Sequence, residues 1–179
     1  TATPAPPSLS GRILYQLASQ IWIMNADGTG KSQLTTNGGY SARGSSDGSK
    51  ITYISQGTSP PSAPNYPFNS VYTMSVDGSN KRQVSRPHYN DPPWPKDSYP
   101  HWCNRPDGER IVFSSEGRGL PLTRTFVVTP SSSPQVPTQI PNTSEYMDWR
   151  YPRCSPDGSK ILFTSSLREP YGYLRNEEG

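Results

Sequence analysis

The side chains of this chain that could do chemistry are few, and they lie between residues 88 and 101. His88 and His101 are its two histidines. Together with Asp91 and Asp97 they are the residue types that bind metal ions, but their spacing matches no recognised ligand geometry. The stretch is also rich in proline, as solvent-exposed loops often are. We therefore expect no metal site and no cofactor.

The recurring aspartates are better explained by turn formation than by acid–base catalysis. Each precedes a glycine, and Asp-Gly is a preferred turn sequence because glycine adopts positive φ and the aspartate side chain bonds to nearby backbone. The sialidase Asp-box differs, since it separates its aspartate from its glycine. We also expect no nucleophile elbow of the Gly-x-Ser-x-Gly type, so the chain is predicted not to be an enzyme. The pairs interpreted as turns are Asp27 and Gly28, Asp47 and Gly48, Asp77 and Gly78, Asp107 and Gly108, and Asp157 and Gly158.

One hairpin sequence occurs three times, and the rest of the chain is organised around it. Its copies span residues 42–55, 101–115 and 152–166. Each contains Asp-Gly, a basic residue two positions after the glycine, and a strand that ends in serine. We predict a two-residue type I′ turn at each Asp-Gly, with positive φ at the central residues. Repetition at intervals of roughly 50 to 60 residues is typical of a β-propeller.

The composition favours an all-β fold. The 179 residues include 21 prolines and 15 glycines, and the aromatic and branched residues occur in short runs between them. No stretch combines a helical period with a cap. The predicted unit is inner strand, turn, second strand, variable loop, third strand, turn and fourth strand, which is a propeller blade. We assign a proline-rich linker to residues 1–10 and propeller repeats to residues 11–179, with units at about 11–40, 41–99, 100–149 and 150–179.

Two long connections are the predicted binding elements. They run from Gln56 to Asn69 and from Arg86 to Tyr99, and both are rich in proline. Long loops on a rigid β scaffold are common sites of ligand binding. The alternative is that their aromatic side chains pack over the edges of the blades. The side chains predicted to bind are Tyr66, Phe68, His88, Tyr89 and Trp94.

The two cysteines, Cys103 and Cys154, lie at nearly equivalent places in successive units. A disulfide is one interpretation, because their strands would be neighbours near the propeller axis. Counted back from Asp107 and Asp157, however, the two positions differ by one residue. This offset would turn the side chains to opposite strand faces unless a bulge corrects it. The other interpretation is a pair of buried thiols.

Charge and hydropathy argue against two classes of partner. The net charge of +3 is small and the basic residues are spread along the chain, so no nucleic-acid-binding surface is predicted. No apolar run is long enough to span a membrane. The segment Pro4–Pro7 favours an extended spacer of the kind found between a membrane or lipid anchor and an exported domain. We therefore predict an exported protein, located in the periplasm, at the cell surface or in the medium.

These repeats are similar to those of the TolB-type, WD40-like family of β-propellers. The similarity extends over nearly all of residues 11–175. It departs from the family pattern where Gly44 and Cys154 replace an aromatic residue and where Ser46 replaces proline. The stretches that carry it are Ser155–Gly158 with Ile161–Ser165, Ile21–Gly30, and Gln33–Thr35.

The resemblance implies a bacterial-like, all-β propeller of about four four-stranded blades, in a partial or small ring. The family usually has six or more blades. We therefore expect a piece of a longer propeller or a partial ring that self-associates, with a closed four-blade ring as the alternative. Unpaired edge strands would favour association.

Three functional hypotheses follow. The first is a non-enzymatic binding or scaffold module for a protein or glycan partner. The second is part of the gating propeller of a prolyl-oligopeptidase-like peptidase whose catalytic domain is absent from this chain. The third is a structural subunit of an extracellular assembly. Because a propeller supports many functions, the resemblance implies a binding platform and nothing narrower.

Overall fold

The structure is a computed structural model, and it describes residues 11–57, 68–86, 95–118, 120–141 and 147–167. These residues form thirteen β-strands and no α-helix, which confirms the all-β prediction. None of them belongs to a helix long and apolar enough to cross a membrane. The strands are β1 (Arg12–Leu17), β2 (Gln20–Asn25), β3 (Ser32–Gln33), β4 (Tyr40–Gly44), β5 (Lys50–Gln56), β6 (Asn69–Ser75), β7 (Arg82–Gln83), β8 (Lys96–Arg105), β9 (Gly108–Gly117), β10 (Leu120–Val128), β11 (Thr138–Gln139), β12 (Met147–Cys154) and β13 (Ile161–Leu167).

The strands fall into four antiparallel units. Unit I contains β1 to β3, unit II contains β4 to β7, unit III contains β8 to β11, and unit IV contains β12 and β13. The parallel residue pair Asn69 with Lys96 joins units II and III into one sheet, and a parallel bridge between Ser85 and Gln135 links the two units again. The first strands of units III and IV begin at Lys96 and Met147. Both therefore start before the predicted unit boundaries at residues 100 and 150.

The turns between the strands differ from the predicted type I′ turn. All five Asp-Gly glycines have positive φ, but none of the five aspartates has. In the β12–β13 hairpin, Gly158 N donates to Ser155 O at 2.9 Å, so the turn contains four residues with glycine last. Pro156 suits the second position because its fixed φ matches type I geometry. Equivalent bonds close the turns at Gly28, Gly48 and Gly78.

The aspartate side chains stabilise these turns by accepting hydrogen bonds from neighbouring residues of the same turn. Hydrogen bonds from the hydroxyls of Ser155 and Ser159 lower the pKa of Asp157 to about 2, and an equivalent pair of serines lowers that of Asp47 to about 2. Ser159 N also donates to Asp157 Oδ1 at 3.1 Å. These carboxylates are therefore engaged in local turn structure.

Both faces of unit II are buried against neighbouring units. Alternate residues of a strand point to opposite faces. Along β5, Ile51 and Tyr53 join a core cluster shared with unit I, completed by Ile21, Ile23, Leu34 and Met74. Ile54 joins a cluster shared with unit III, completed by Val71, Val84, Trp102, Ile111, Phe113, Phe126 and Val128. The units therefore pack face to face, and each fully buried isoleucine contributes roughly 1.5–3 kcal/mol.

The outer units have free edges. Within the described residues, β1 pairs only with β2, and β13 pairs only with β12. The described strands do not close into a ring. The blade count and the closure of the predicted propeller therefore stay predictions.

Candidate ligand-binding surface on the inner strands

Only one of the five side chains predicted to bind a partner is described. Phe68 is 2% exposed. Its ring lies over Gly57, whose backbone N donates to Phe68 O at 2.9 Å. The binding role predicted for Phe68 is therefore wrong, because its ring closes the base of the loop and does not face solvent. The other four lie outside the described residues, and their role stays a prediction: Tyr66, His88, Tyr89 and Trp94.

Asp97, considered above as a metal ligand by residue type, is the centre of a buried network. Its side chain is 0% exposed and that of Arg118 is 4% exposed. Arg118 Nη2 donates to the two carboxylate oxygens at 2.9 and 2.8 Å. The hydroxyls of Ser85 and Ser115 each donate to the same carboxylate at 2.7 Å. Because Ser85 follows β7 and the others belong to unit III, the carboxylate joins units II and III.

Residues Gly44–Gly48 spell Gly-x-Ser-x-Gly, so the expectation that this sequence is missing was wrong. A nucleophile elbow lies between a strand and a helix. Here the residues connect the antiparallel strands β4 and β5. Ser46 Oγ accepts a hydrogen bond from Asn104 Nδ2 at 2.5 Å. The serine therefore ties unit II to unit III and lacks the geometry of an elbow.

Cys103 and Cys154 form a disulfide between units III and IV, with their Cα atoms 5.4 Å apart. Face-to-face packing explains why the one-residue offset does not prevent it. Trp102 belongs to the core shared with unit II, so the next residue, Cys103, points to the opposite face, towards unit IV. Cys154 must then point back towards unit III. The offset would prevent a bridge between neighbouring strands of one sheet, whereas two packed units need side chains on facing surfaces.

Contacts between β8 and β12 align these two inner strands. The rings of Tyr99 and Tyr151, which both have positive φ, have centroids 4.2 Å apart. Further along, Cys154 N lies 3.5 Å from His101 Nδ1, to which it donates. His101 lies two residues beyond Tyr99, and Arg153 lies two residues beyond Tyr151. The side-by-side strands therefore bring Arg153 level with His101.

The Ser46–Asn104 hydrogen bond aligns β4 with β8 in the same way. Arg43 lies three residues before Ser46, and His101 lies three residues before Asn104. Arg43 also lies two residues beyond Ser41, which has positive φ, just as His101 lies two residues beyond Tyr99. The register therefore brings Arg43 level with His101 on the side opposite to Arg153.

Arg43, His101 and Arg153 thus form a row of basic residues on β4, β8 and β12, which we call the basic row. Burial, followed by the charges of Arg153 and Arg43, lowers the pKa of His101. Burial and the charge of Arg43 lower the pKa of Arg153, which remains charged at neutral pH. In the part of the chain that the structure describes, neither arginine forms an ion pair with a carboxylate. The row therefore offers positive charge to a ligand.

A cleft of about 500 Å³ opens beside Arg43, between units I and II. Arg12 and Lys50 add two further cations to its lining, and Leu14 and Val76 contribute apolar surface. Ligand sites are typically concave and apolar, with a few polar groups that fix orientation. The cleft therefore extends the basic row into a surface that can hold a ligand.

Comparison with known proteins bears on the fold. The sequence matches no protein-family profile and no curated protein. A solved structure provisionally described as TolB from Agrobacterium tumefaciens aligns with a TM-score of 0.61 at 20% sequence identity. The fold is TolB-like. The likeness covers 86% of this chain and 48% of that chain, so the chain spans about half the length of the TolB structure.

Sequence analysis missed most of the basic row within this TolB-like fold. It considered His101 only as a metal ligand and did not single out Arg43 or Arg153. A local signal does exist for two of the three, because a Tyr-Pro pair directly precedes both His101 and Arg153. Its tyrosine is the positive-φ residue that sets the register in each case.

Proposed function

We propose that this chain is a noncatalytic binding module that forms part of a TolB-like β-propeller and holds a protein or glycan partner without a cofactor. The observation that carries the proposal is the basic row of Arg43, His101 and Arg153. Guanidinium groups donate strong, often paired hydrogen bonds to oxyanions. Two such groups without a described carboxylate partner are suited to a ligand that brings its own negative charge.

Three features support a propeller. The units repeat the same strand order, they pack face to face, and their first strands β4, β8 and β12 lie level with one another. A propeller places four-stranded blades around an axis with their innermost strands side by side. Units II and III have four strands each, and unit I has three. The likeness to the TolB structure agrees with this arrangement.

The surroundings of His101 support binding over catalysis. A general base needs a hydrogen bond to the group that it deprotonates. His101 Nδ1 instead accepts from the backbone N of Cys154. The flanking charges of Arg43 and Arg153 disfavour uptake of a proton by the imidazole. With Nδ1 accepting a hydrogen bond, the neutral imidazole carries its proton on Nε2, so it can donate to an anion and is poorly placed to act as a base.

The disulfide supports export. Disulfides persist in oxidising compartments such as the periplasm and the extracellular space. The bridge between Cys103 and Cys154 joins two units that would otherwise depend on noncovalent packing. We propose a periplasmic, cell-surface or secreted location.

Arrays of peptides and glycans, each with acidic, basic and neutral members, test the proposed function. The purified chain with its disulfide intact should bind a subset saturably, and mass spectrometry should recover the ligand unchanged. Arg43→Ala should weaken this binding. Arg82→Ala removes an exposed arginine of the outer strand β7 and should bind like the parent. Absence of saturable binding, or conversion of a ligand, would overturn the proposal.

Self-association is a second candidate function, favoured by the free edges of β1 and β13. An unpaired edge offers backbone groups to another strand. Large apolar side chains near these edges are also exposed: Ile13 is 40%, Leu17 is 54% and Leu162 is 75% exposed. Light scattering over a hundredfold range of concentration should detect a discrete oligomer or a fibre. A monomer throughout would exclude this candidate and leave the binding module.

A further inference from the structure

We propose that the basic row binds an extended acidic peptide, whose carboxylates contact Arg43, His101 and Arg153 along one face. This inference rests on the proposed function, because it names the ligand of the same surface. It commits to a peptide with acidic side chains at alternate positions.

The first argument is uncompensated charge. Neighbouring acids are already paired, since Glu109 binds Lys50 at 2.7 Å and Asp148 binds Arg150 at 3.2 Å. Arg153 Nη1 donates to the backbone O of Pro152 at 2.9 Å, which neutralises none of its charge. A carboxylate brought by a ligand would be the missing partner, with a charge-assisted hydrogen bond as the result.

The second argument is spacing. The strands that carry His101 and Arg153 lie close together, since the Cα atoms of Cys103 and Cys154 on the same two strands are 5.4 Å apart. Side chains on one face of an extended peptide recur about every 6.6 Å. Acidic residues at alternate positions therefore fit successive members of the row. A compact phosphate ion can contact fewer members at once and should compete weakly.

The third argument is the surface on either side of the row. The rings of Tyr99 and Tyr151, tilted by 52° and with centroids 4.2 Å apart, lie two residues along the strands from His101 and Arg153. On the other side, the cleft beside Arg43 has apolar walls that include Leu14 and Val76. An extended chain that crosses the row would therefore pass beside the tyrosine rings and meet apolar surface beyond the Arg43 end of the row.

Protonation of His101 should add a third positive charge to the row. The charged groups that face His101 are Arg43 from β4 and Arg153 from β12. On β9, the residue paired with His101 is the uncharged Val112. Peptide carboxylates stay largely ionised above about pH 5. The peptide should therefore bind more tightly at pH 5.5 than at pH 7.5, and His101→Gln should abolish this difference.

Fluorescence anisotropy with a fluorescein-labelled Glu-Ser-Glu-Ser-Glu-Ser-Glu peptide tests the inference on the disulfide-intact chain. Arg43→Ala and Arg153→Ala should each weaken binding about tenfold, because each removes a charge-assisted bond. Arg82→Ala is the charge-matched control and should stay within about twofold of the parent. Arg43→Lys should retain part of the affinity, since it keeps the charge. Thermal unfolding of each variant separates a binding defect from a folding defect.

Competition identifies the source of the anion. A Lys-Ser peptide of the same length should not bind, and inorganic phosphate should displace the acidic peptide only at much higher concentration. Displacement by phosphate or by an oligogalacturonate at lower concentration would overturn the assignment to a peptide. If the arrays yield neutral ligands whose binding is unchanged in Arg43→Ala, this inference fails while the proposed binding function stands.

Discussion

Asp97 and Arg118 form an ion pair that is closed to solvent, with Nη2 2.8 Å from Oδ2 and side chains 0% and 4% exposed. Arg118 has a φ of 56°, which is uncommon outside glycine. Its guanidinium also lies 5.8 and 5.4 Å from the ring centroids of Phe113 and Phe126. The pair therefore holds the β9–β10 turn against the core that units II and III share.

Breaking this pair should destabilise the chain severely. Arg118→Met leaves the carboxylate of Asp97 buried without its cation, which costs about 3–5 kcal/mol. Urea unfolding followed by tryptophan fluorescence measures the loss. Glu109→Gln breaks the Lys50–Glu109 pair, whose side chains are 44% and 41% exposed, and should cost at most about 1 kcal/mol. Equal losses for the two variants would contradict the importance of the buried pair.

Gly158 and Gly48 should respond differently to alanine, although they occupy equivalent turns. Both have positive φ, at 68° and 69°, so backbone strain should lower the free energy of unfolding of each alanine variant by roughly 1–2 kcal/mol. A Cβ at position 48 meets nothing within 4 Å, whereas one at 158 collides with Asn104 O and lies 2.7 Å from Arg105 Cγ. Gly158→Ala should therefore cost about 1–3 kcal/mol more than Gly48→Ala in chemical denaturation. Similar losses would show that unit IV does not rest on the β8–β9 turn.

The disulfide should stabilise the docking of unit IV more than the other units. Unit IV has two described strands and is otherwise held to unit III by contacts such as Thr123 N to Asp148 Oδ1 at 2.8 Å. Replacing Cys103 and Cys154 together by serine should cost about 2–4 kcal/mol. Hydrogen exchange should accelerate mainly in residues 147–167, and reduction of the parent should reproduce the effect. Uniform acceleration across units I to IV would contradict this division of stability.

The repeated units could be predicted from sequence because their turn chemistry is local. An Asp-Gly pair with a hydroxyl residue directly after it identifies four of the turns, and the side-chain bonds of Asp157 and Asp47 are made within the turn itself. The predicted turn type was wrong, because the prediction placed Asp-Gly at the two central positions of the turn. The decisive bond runs from Gly158 N to Ser155 O, so the turn begins two residues before the aspartate.

The basic row and the buried pair could not be predicted, because each depends on packing between distant segments. Asp97 lies on β8, and Arg118, 21 residues later, lies in the β9–β10 turn. In the row, Arg43 and Arg153 lie four residues before their turn aspartates, but His101 lies six before its own. Alignment on Asp-Gly therefore separates residues that strand packing brings together. The difference lies in the hairpins, since β8 and β9 pair as far as Arg105 with Gly108, whereas β12 and β13 pair only as far as Cys154 with Ile161.

His101 should make the stability of the chain depend on pH in a narrow window. Its pKa in the folded chain lies below the ordinary value of 6.5, through burial and then the charges of Arg153 and Arg43. The unfolded chain therefore binds the proton more readily, so stability is complete above about pH 6.5 and falls as the pH drops towards the folded pKa. Urea unfolding between pH 7.5 and 5 should show this fall in the parent and in His88→Gln but not in His101→Gln. An identical pH profile in the parent, His88→Gln and His101→Gln would exclude His101 as the source of the pH dependence. Because a bound acidic peptide favours protonated His101, saturation with the peptide should also reduce the loss of stability at low pH.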